Sequence, residues 1–397
     1  MSIAKRISLI ETSLTLAISA QAKAMKGQGI NVIDFGAGEP DFDTPAYIKE
    51  AAEKAIEEGF TKYTPVSGTR ELKEAIAEKF KNDNHLNYSP EEILVSCGAK
   101  HSIYNAIVSL CDEGDEVILP SPYWLSYPEM IKIAGASPVI IETDQENGFK
   151  ITPEQLKRAI TPKTKLFILN SPSNPTGAVY GKEELLPIRE ILVKTGIYCI
   201  SDEIYEKIIY NGQKHTSLAS LGQEINKLTI TVNGVSKSYA MTGWRIGYAG
   251  GAEEIIQAMD TLQSHSTSNP ASILQKAALA ALKGPQKETE KMVAEFARRR
   301  DFIMEKLDSI KQISCLKPRG AFYLFANISK LKGKSFRGKI ITDSVSLAAI
   351  LLAETRVAAV PGKAFGADNY LRFSYATSLD NIEEGLKRIK QFIEQII

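Results

Sequence analysis

The chain has 397 residues, 44% of them hydrophobic and 24% charged, and 48 Lys plus Arg against 47 Asp plus Glu leave a formal charge of +1. That length is roughly two to three typical domains, and this composition excludes a disordered or fibrous protein. The balanced charge removes the main reason to expect a nucleic-acid or membrane-surface partner, and no apolar run reaches the about 18 residues of a membrane span, so a cytoplasmic enzyme is the expectation.

Residues 1–45 end in the turn-rich run Gly36-Ala37-Gly38-Glu39-Pro40-Asp41-Phe42. From about Glu92 to Gly251, short apolar runs alternate with helical periodicity. The runs predict strands over Ile93 to Ser96, Glu116 to Leu119, Pro138 to Glu142, Lys165 to Leu169, Ile197 to Ser201, Leu228 to Val232 and Arg245 to Ala249. Helices are predicted over His101 to Cys111, Tyr127 to Ala134, Pro153 to Ile160 with Thr152 as N-cap, and Lys182 to Lys194. Alternation of this kind implies a buried, mostly parallel sheet between helices. Residues 285 to 315 read as a long charged helix, in which Arg298-Arg299-Arg300 is expected to be a solvated face because Glu295 and Asp301 lie nearby. From Gly320 onward the segments Ala321 to Ala326, Ser344 to Glu354, Val357 to Val360 and Asp380 to Ile396 suggest a second, smaller α/β unit. The expected division is 1–45 as an N-terminal arm and part of the small domain, 46–290 as the large domain, and 291–397 as the small C-terminal domain.

Cys97, Cys111, Cys199 and Cys315 form no CxxC pair and are expected to be reduced, buried thiols. His85, His101, His215 and His265 have no ligand-like spacing, and no metal site is expected.

In open α/β sheets, ligands bind beyond the carboxyl ends of strands. The run ending at Leu169 leads into Asn170-Ser171-Pro172-Ser173-Asn174-Pro175-Thr176-Gly177, which offers the Asn174 amide. The run ending at Ser201 leads into Asp202-Glu203-Ile204-Tyr205, and an ionised carboxylate there needs a cation or a protonated ligand nitrogen. Beyond Val232 comes Asn233-Gly234-Val235-Ser236-Lys237, then Met241-Thr242-Gly243-Trp244-Arg245. A lysine desolvated among small residues has a lowered pKa, which favours the free amine that forms Schiff bases, and Arg245 can hold an anion beside it. Ser96-Cys97-Gly98-Ala99-Lys100-His101 opens a helix whose N–H groups suit an anion, although it is neither a P-loop nor a dinucleotide fingerprint. With the aromatic pair Tyr123-Trp124, these are the groups that a pyridoxal phosphate enzyme needs.

The stretch Gly234 to Gly247 resembles, at each constrained position, the pyridoxal-lysine signature of the class I aminotransferases of pyridoxal phosphate fold type I. Gly38-Glu39-Pro40-Asp41-Phe42, Asn174-Pro175-Thr176-Gly177, Ser201 to Tyr205 and Arg372-Phe373-Ser374 follow in the family's order, and Ser121 to Trp124 and Tyr127-Pro128-Glu129 are similar to bacterial aspartate aminotransferases. The resemblance implies a large domain with a mostly parallel seven-stranded sheet, and a smaller α/β domain from the N- and C-terminal segments. It implies that Lys237 binds pyridoxal 5′-phosphate and shuttles the proton at the substrate Cα, and that Asp202 keeps the pyridine nitrogen protonated. Asn174 and Tyr205 would bond the phenolic oxygen, and Trp124 would stack on the ring. Gly98, Ala99, Lys100 and Arg245 would hold the phosphate, with Tyr63 entering from a partner subunit of a homodimer. Arg372, Gly38, Trp124 and Asn174 would bind the substrate, an amino acid or 2-oxo acid. Many relatives have a serine three residues before the lysine, where this chain has Gly234; Ser236 is kept as a cofactor-binding candidate without standing in for it.

No arginine lies in Ser264 to Ser268, where some relatives hold the distal carboxylate, so Lys100 is the candidate for that group, and Thr15 occupies the position of a threonine in relatives that use prephenate. Aspartate:2-oxoglutarate transamination by a ping-pong cycle is the expected reaction. The alternatives are a prephenate or dual enzyme, an aromatic aminotransferase, a pyridoxal C–S lyase, and a non-enzymatic binding module. Ser121-Pro122 and Asn174-Pro175 resemble sites where this family has cis prolines.

Overall fold

The computed structural model describes residues 3–12 and 14–396. Its central sheet has seven strands in the spatial order Ile93–Ser96, Gly247–Gly250, Thr229–Gly234, Tyr198–Asp202, Thr164–Asn170, Glu116–Ser121 and Ser137–Glu142. Gly247–Gly250 runs antiparallel to both neighbours, and every other pairing is parallel. The mostly parallel sheet expected from the alternating pattern is therefore present.

Both faces of this sheet are covered, which is why its strands read as continuous apolar runs. Alternate residues serve opposite layers. Leu166, Ile168, Ile200 and Ile230 pack with Ile103, Ile131 and Met259 from the helices Ala99–Leu110, Ser126–Ile133 and Glu253–Ser264. Phe167, Leu169 and Cys199 pack with Leu185, Ile188 and Leu192 of the helix Lys182–Thr195. Full burial of one such side chain contributes roughly 1.5–3 kcal/mol. Thr152 caps the helix Pro153–Ala159 as expected: its hydroxyl accepts from the Gln155 N–H, and the Gln155 side chain accepts from the Thr152 N–H.

A second, four-stranded antiparallel sheet has the order Val360–Pro361, Tyr370–Ser374, Tyr323–Asn327 and Ser314–Cys315. The helices Lys287–Asp308 and Leu379–Glu394 contribute Phe296, Ile303, Ile382 and Ile389 to its core. The strand Ile33–Asp34 pairs in parallel with Val357–Ala358, so the N-terminal segment packs with the C-terminal one.

Four local expectations need correction. The helix begun at Ser344 ends at Ile350 and passes into a π-helical turn, Leu351–Thr355. The stretch Val357 to Val360 divides into two short strands that pair with different partners. In the triple arginine only Arg298 is solvated, because a helix turns about 100° per residue and carries the next two inward. Arg299 binds Asp41 at 2.7 Å and Glu295 at 2.9 Å. Arg300 is fully buried, with its guanidinium 4.5 Å from the Tyr210 ring centre and bonded to Asp301. Cys111 and Cys199 are buried, whereas Cys97 and Cys315 are only partly so. No helix among the described residues is long and apolar enough to cross a membrane.

Candidate active site

A cavity of about 380 Å³ opens beyond the carboxyl ends of the large sheet's strands, within the size range of small-molecule sites. Asp202 closes the strand Tyr198–Asp202, Asn170 closes Thr164–Asn170, and Lys237 follows Thr229–Gly234 by three residues, so three strand ends deliver polar groups to one space. Arg372 enters from the second sheet and Thr15 from the N-terminal helix Leu14–Gly27.

Lys237 Nζ donates to the Gly38 carbonyl at 2.6 Å. Burial lowers its pKa to about 8; Glu39 and Asp202 oppose this shift, while Arg372 and Arg245 reinforce it. Asp202 is buried, and burial pushes its carboxyl up to about 6 even though the Tyr127 hydroxyl donates to Oδ2 at 2.6 Å and the Ile204 N–H to Oδ1 at 3.2 Å. Both of those donors are neutral, and the carboxylate faces the cavity.

Arg372 is also buried, which lowers its pKa. Nη1 donates to Asn174 Oδ1 at 2.9 Å and Nη2 to the Gly36 carbonyl at 2.8 Å, while Nε has no partner. The guanidinium lies 4.4 Å from the Tyr323 ring centre and 5.1 Å from that of Phe365. A buried cation with spare N–H donors on the cavity wall is suited to a carboxylate.

A further group of residues lining the cavity suits an anion. Gly98, with φ +90°, precedes the helix Ala99–Leu110 without a side-chain cap, leaving its first N–H groups unused within the helix. A Cβ at Gly98 would overlap Arg245 Nη2, so glycine is needed for the arginine's close approach. Arg245 is anchored by the Thr242 carbonyl at 2.9 Å and the Cys97 carbonyl at 3.3 Å. Ala99, Lys100 and Ser236 line the same cavity. Gly234 packs closely: a Cβ there would lie 3.0 Å from Gly247 Cα and 3.1 Å from the Ile246 carbonyl oxygen.

Trp124 and Lys100 complete the rim, with Lys100 Nζ 5.0 Å from the indole centre and its pKa lowered by burial and by Arg245. The Thr15 hydroxyl is buried on the cavity wall and has no partner among the described residues. Tyr205 lines the cavity, its hydroxyl 2.8 Å from that of Tyr323. Tyr63 stands apart from these residues, 91% exposed on the surface.

The family model for aminotransferase class I and II matches residues 30–389. The chain belongs to that family. It is 52% identical over 395 residues to the aspartate aminotransferase of Bacillus subtilis, covering 100% of both chains. It is 48% identical over 396 residues to the aspartate/prephenate aminotransferase of Nitrosomonas europaea, covering 99% of this chain and 100% of that one. The solved aspartate aminotransferase of Rhizobium meliloti superposes with a TM-score of 0.96 at 46% identity, covering 100% of each chain. The family resemblance read from the motifs is borne out.

This aminotransferase-family cavity also contains residues to which the sequence assigned no role. Tyr127 belongs to a quoted stretch, but its bond to Asp202 depends on how a helix packs on the sheet. Tyr323 follows no strand of the large sheet and reaches the cavity from the second one. Away from this cavity, the His215 ring is buried and lies 2.8 Å from Glu203. Glu203, Glu206 and His215 place three potential metal-ligating atoms within 4.8 Å of one another, but Lys79 already contacts Glu206 and Asn84 bridges both carboxylates. Ser121-Pro122 and Asn174-Pro175 are cis, and so is Ser171-Pro172.

Proposed function

We propose that this chain is a pyridoxal 5′-phosphate-dependent aminotransferase that moves an amino group between aspartate and 2-oxoglutarate in a ping-pong cycle. The observation that carries this reading is a single cavity holding an amine of lowered pKa, a buried carboxylate and a buried guanidinium: Lys237, Asp202 and Arg372. Pyridoxal phosphate, when bound, supplies an aldehyde that holds the amino group and a ring that takes up electrons. The residues fit that group, since Asp202 meets only neutral donors and the Gly98–Arg245 cradle suits a phosphate.

Asp202 would face the ring nitrogen and keep its proton in place, and Asn174 and Tyr205 would serve the phenolic oxygen. Trp124 would cover the ring. The N–H groups of the Gly98, Ala99 and Lys100 turn, with Ser236 and Arg245, would hold the phosphate. A lysine titrating near pH 8 has a useful fraction of free amine near neutrality, so Lys237 Nζ can bind the cofactor and, once released, take the proton from the substrate Cα and return it. Arg372 would hold the α-carboxylate through its spare N–H groups, beside Gly38. Lys100 is the cation on the wall that suits the distal carboxylate of aspartate.

The dual use of prephenate is a second reading, favoured by the unpartnered Thr15 hydroxyl, which offers a further polar contact to a larger dicarboxylate. We place the activity in the cytoplasm and in a homodimer, with residues 1–45 and 291–397 forming the small domain and 46–290 the large one. The dimer is supported by exposed apolar Ile3, Ile7 and Leu9 and by the outward Tyr63, which would complete a partner's phosphate site.

The test is the absorption spectrum with pyridoxal phosphate, before and after excess aspartate. A visible band that aspartate converts to a shorter-wavelength form, and that is absent in Lys237→Ala, is expected. A band indifferent to aspartate would refute the substrate, and no band would refute the cofactor.

A further inference from the structure

Tyr323 opens the strand Tyr323–Asn327, is fully buried, and lines the cavity. In the antiparallel ladder it pairs with Ser374, while Arg372 pairs with Phe325, so Tyr323 and Arg372 are diagonal neighbours on one face of the sheet. That register lays the Tyr323 ring against the Arg372 guanidinium, 4.4 Å from the ring centre. At its other end the Tyr323 hydroxyl lies 2.8 Å from the Tyr205 hydroxyl, and the two rings meet edge to face with centres 5.8 Å apart. The same hydroxyl is 3.7 Å from where a Cβ on Gly38 would sit, and the Gly38 carbonyl accepts from Lys237. One side chain therefore touches the guanidinium and a phenol from the large sheet, and lies beside the residue that holds the lysine.

We propose that Tyr323 is a positioning residue joining the substrate-carboxylate site to the ring-oxygen site: its ring fixes the plane of Arg372, and its hydroxyl donates to the Tyr205 oxygen so that the Tyr205 proton points into the cavity. Two hydroxyls sharing one hydrogen bond leave one proton free. If Tyr323 donates inward, the free proton belongs to Tyr205, and a phenol that accepts one hydrogen bond becomes a stronger donor through the other. This inference rests on the proposed function for the ligand that Tyr205 serves. The contact with Arg372 does not require the cofactor.

Two variants separate the two ends of the side chain. Tyr323→Phe keeps the ring and removes the hydroxyl. A weaker donor at the cofactor's oxygen stabilises negative charge there less well, so the pH at which the lysine-bound cofactor band titrates is expected to rise by about 0.3 to 1 unit. Dicarboxylate affinity, read by calorimetry on the cofactor-free protein with succinate as probe, is expected to change by less than about twofold, since the aromatic face remains. Tyr323→Leu removes that face, and succinate binding is expected to weaken about 3- to 30-fold. An unchanged band titration in Tyr323→Phe would overturn the role of the hydroxyl. Equal losses of succinate affinity in both variants would overturn the division between ring and hydroxyl. A wild-type protein that shows no lysine-bound band would overturn the proposed function and this inference together. Tyr323→Phe preserves the packed ring, so the band titration stands as a test even if Tyr323→Leu fails to fold.

Discussion

The hydrogen bond from Tyr127 to Asp202 makes a quantitative prediction for Tyr127→Phe. In the folded, cofactor-free protein Asp202 keeps its proton to about pH 6, whereas an unperturbed carboxyl releases it near 3.8. Because this folded-state pKa is raised, the stability it contributes is fully present below the unfolded value and is lost as pH rises through the folded one. Over about two pH units, at about 1.4 kcal/mol per unit, the loss is about 3 kcal/mol. Burial is the cause, and Tyr127 offsets part of it. A hydrogen bond to a charged group contributes about 1.5–3 kcal/mol, so its removal is expected to raise the Asp202 pKa by a further one to two units or so and to extend the loss of stability to about pH 7–8. The assay is urea denaturation of wild type and variant without cofactor across that range. The two should differ least near pH 4, where Asp202 is protonated in both, and by about 1.5–3 kcal/mol near pH 8. A difference independent of pH would refute the argument, because the hydroxyl would then not be supporting an ionised carboxylate.

Gly98→Ala is expected to push Arg245 aside and weaken binding of pyridoxal phosphate about 10- to 100-fold while affecting unphosphorylated pyridoxal far less; calorimetry with both ligands checks it. Lys100→Met is expected to lower kcat/KM for aspartate about tenfold or more and to spare alanine, since only the dicarboxylate would be left with an unpaired buried charge; equal losses would show that Lys100 does not read the distal group. Burial disfavours a charged His215, but Glu203 at 2.8 Å outweighs it, with Glu206 reinforcing and Lys79 opposing, so the His215 pKa is raised. The stability this adds is full below about pH 6.5 and is lost as pH rises through the folded value, so thermal melts should show His215→Gln costing more near pH 6 than near pH 9.

The sequence alone determined the central sheet and which polar residues stand at its strand ends. Strands buried on both faces must read as unbroken apolar runs, and the candidate site residues at their carboxyl ends then follow within a few positions, as Asp202 follows Ile200 and Lys237 follows Val232. Gly98 and the signature around Lys237 were legible because their residues lie close together in the chain and packing there tolerates few residue types. What only the tertiary structure decided lies between segments distant in sequence. Tyr127 reaches Asp202 across 75 positions, Arg372 reaches Gly36 across 336, and Tyr323 meets Tyr205 across 118. The inward turn of Arg299 and Arg300 and the seating of His215 on Glu203 belong to the same class, since a charged side chain reads as solvated until the fold supplies its partner. Local pattern encodes which face of an element is buried, whereas the identity of what lies opposite depends on how the two sheets meet around the cavity.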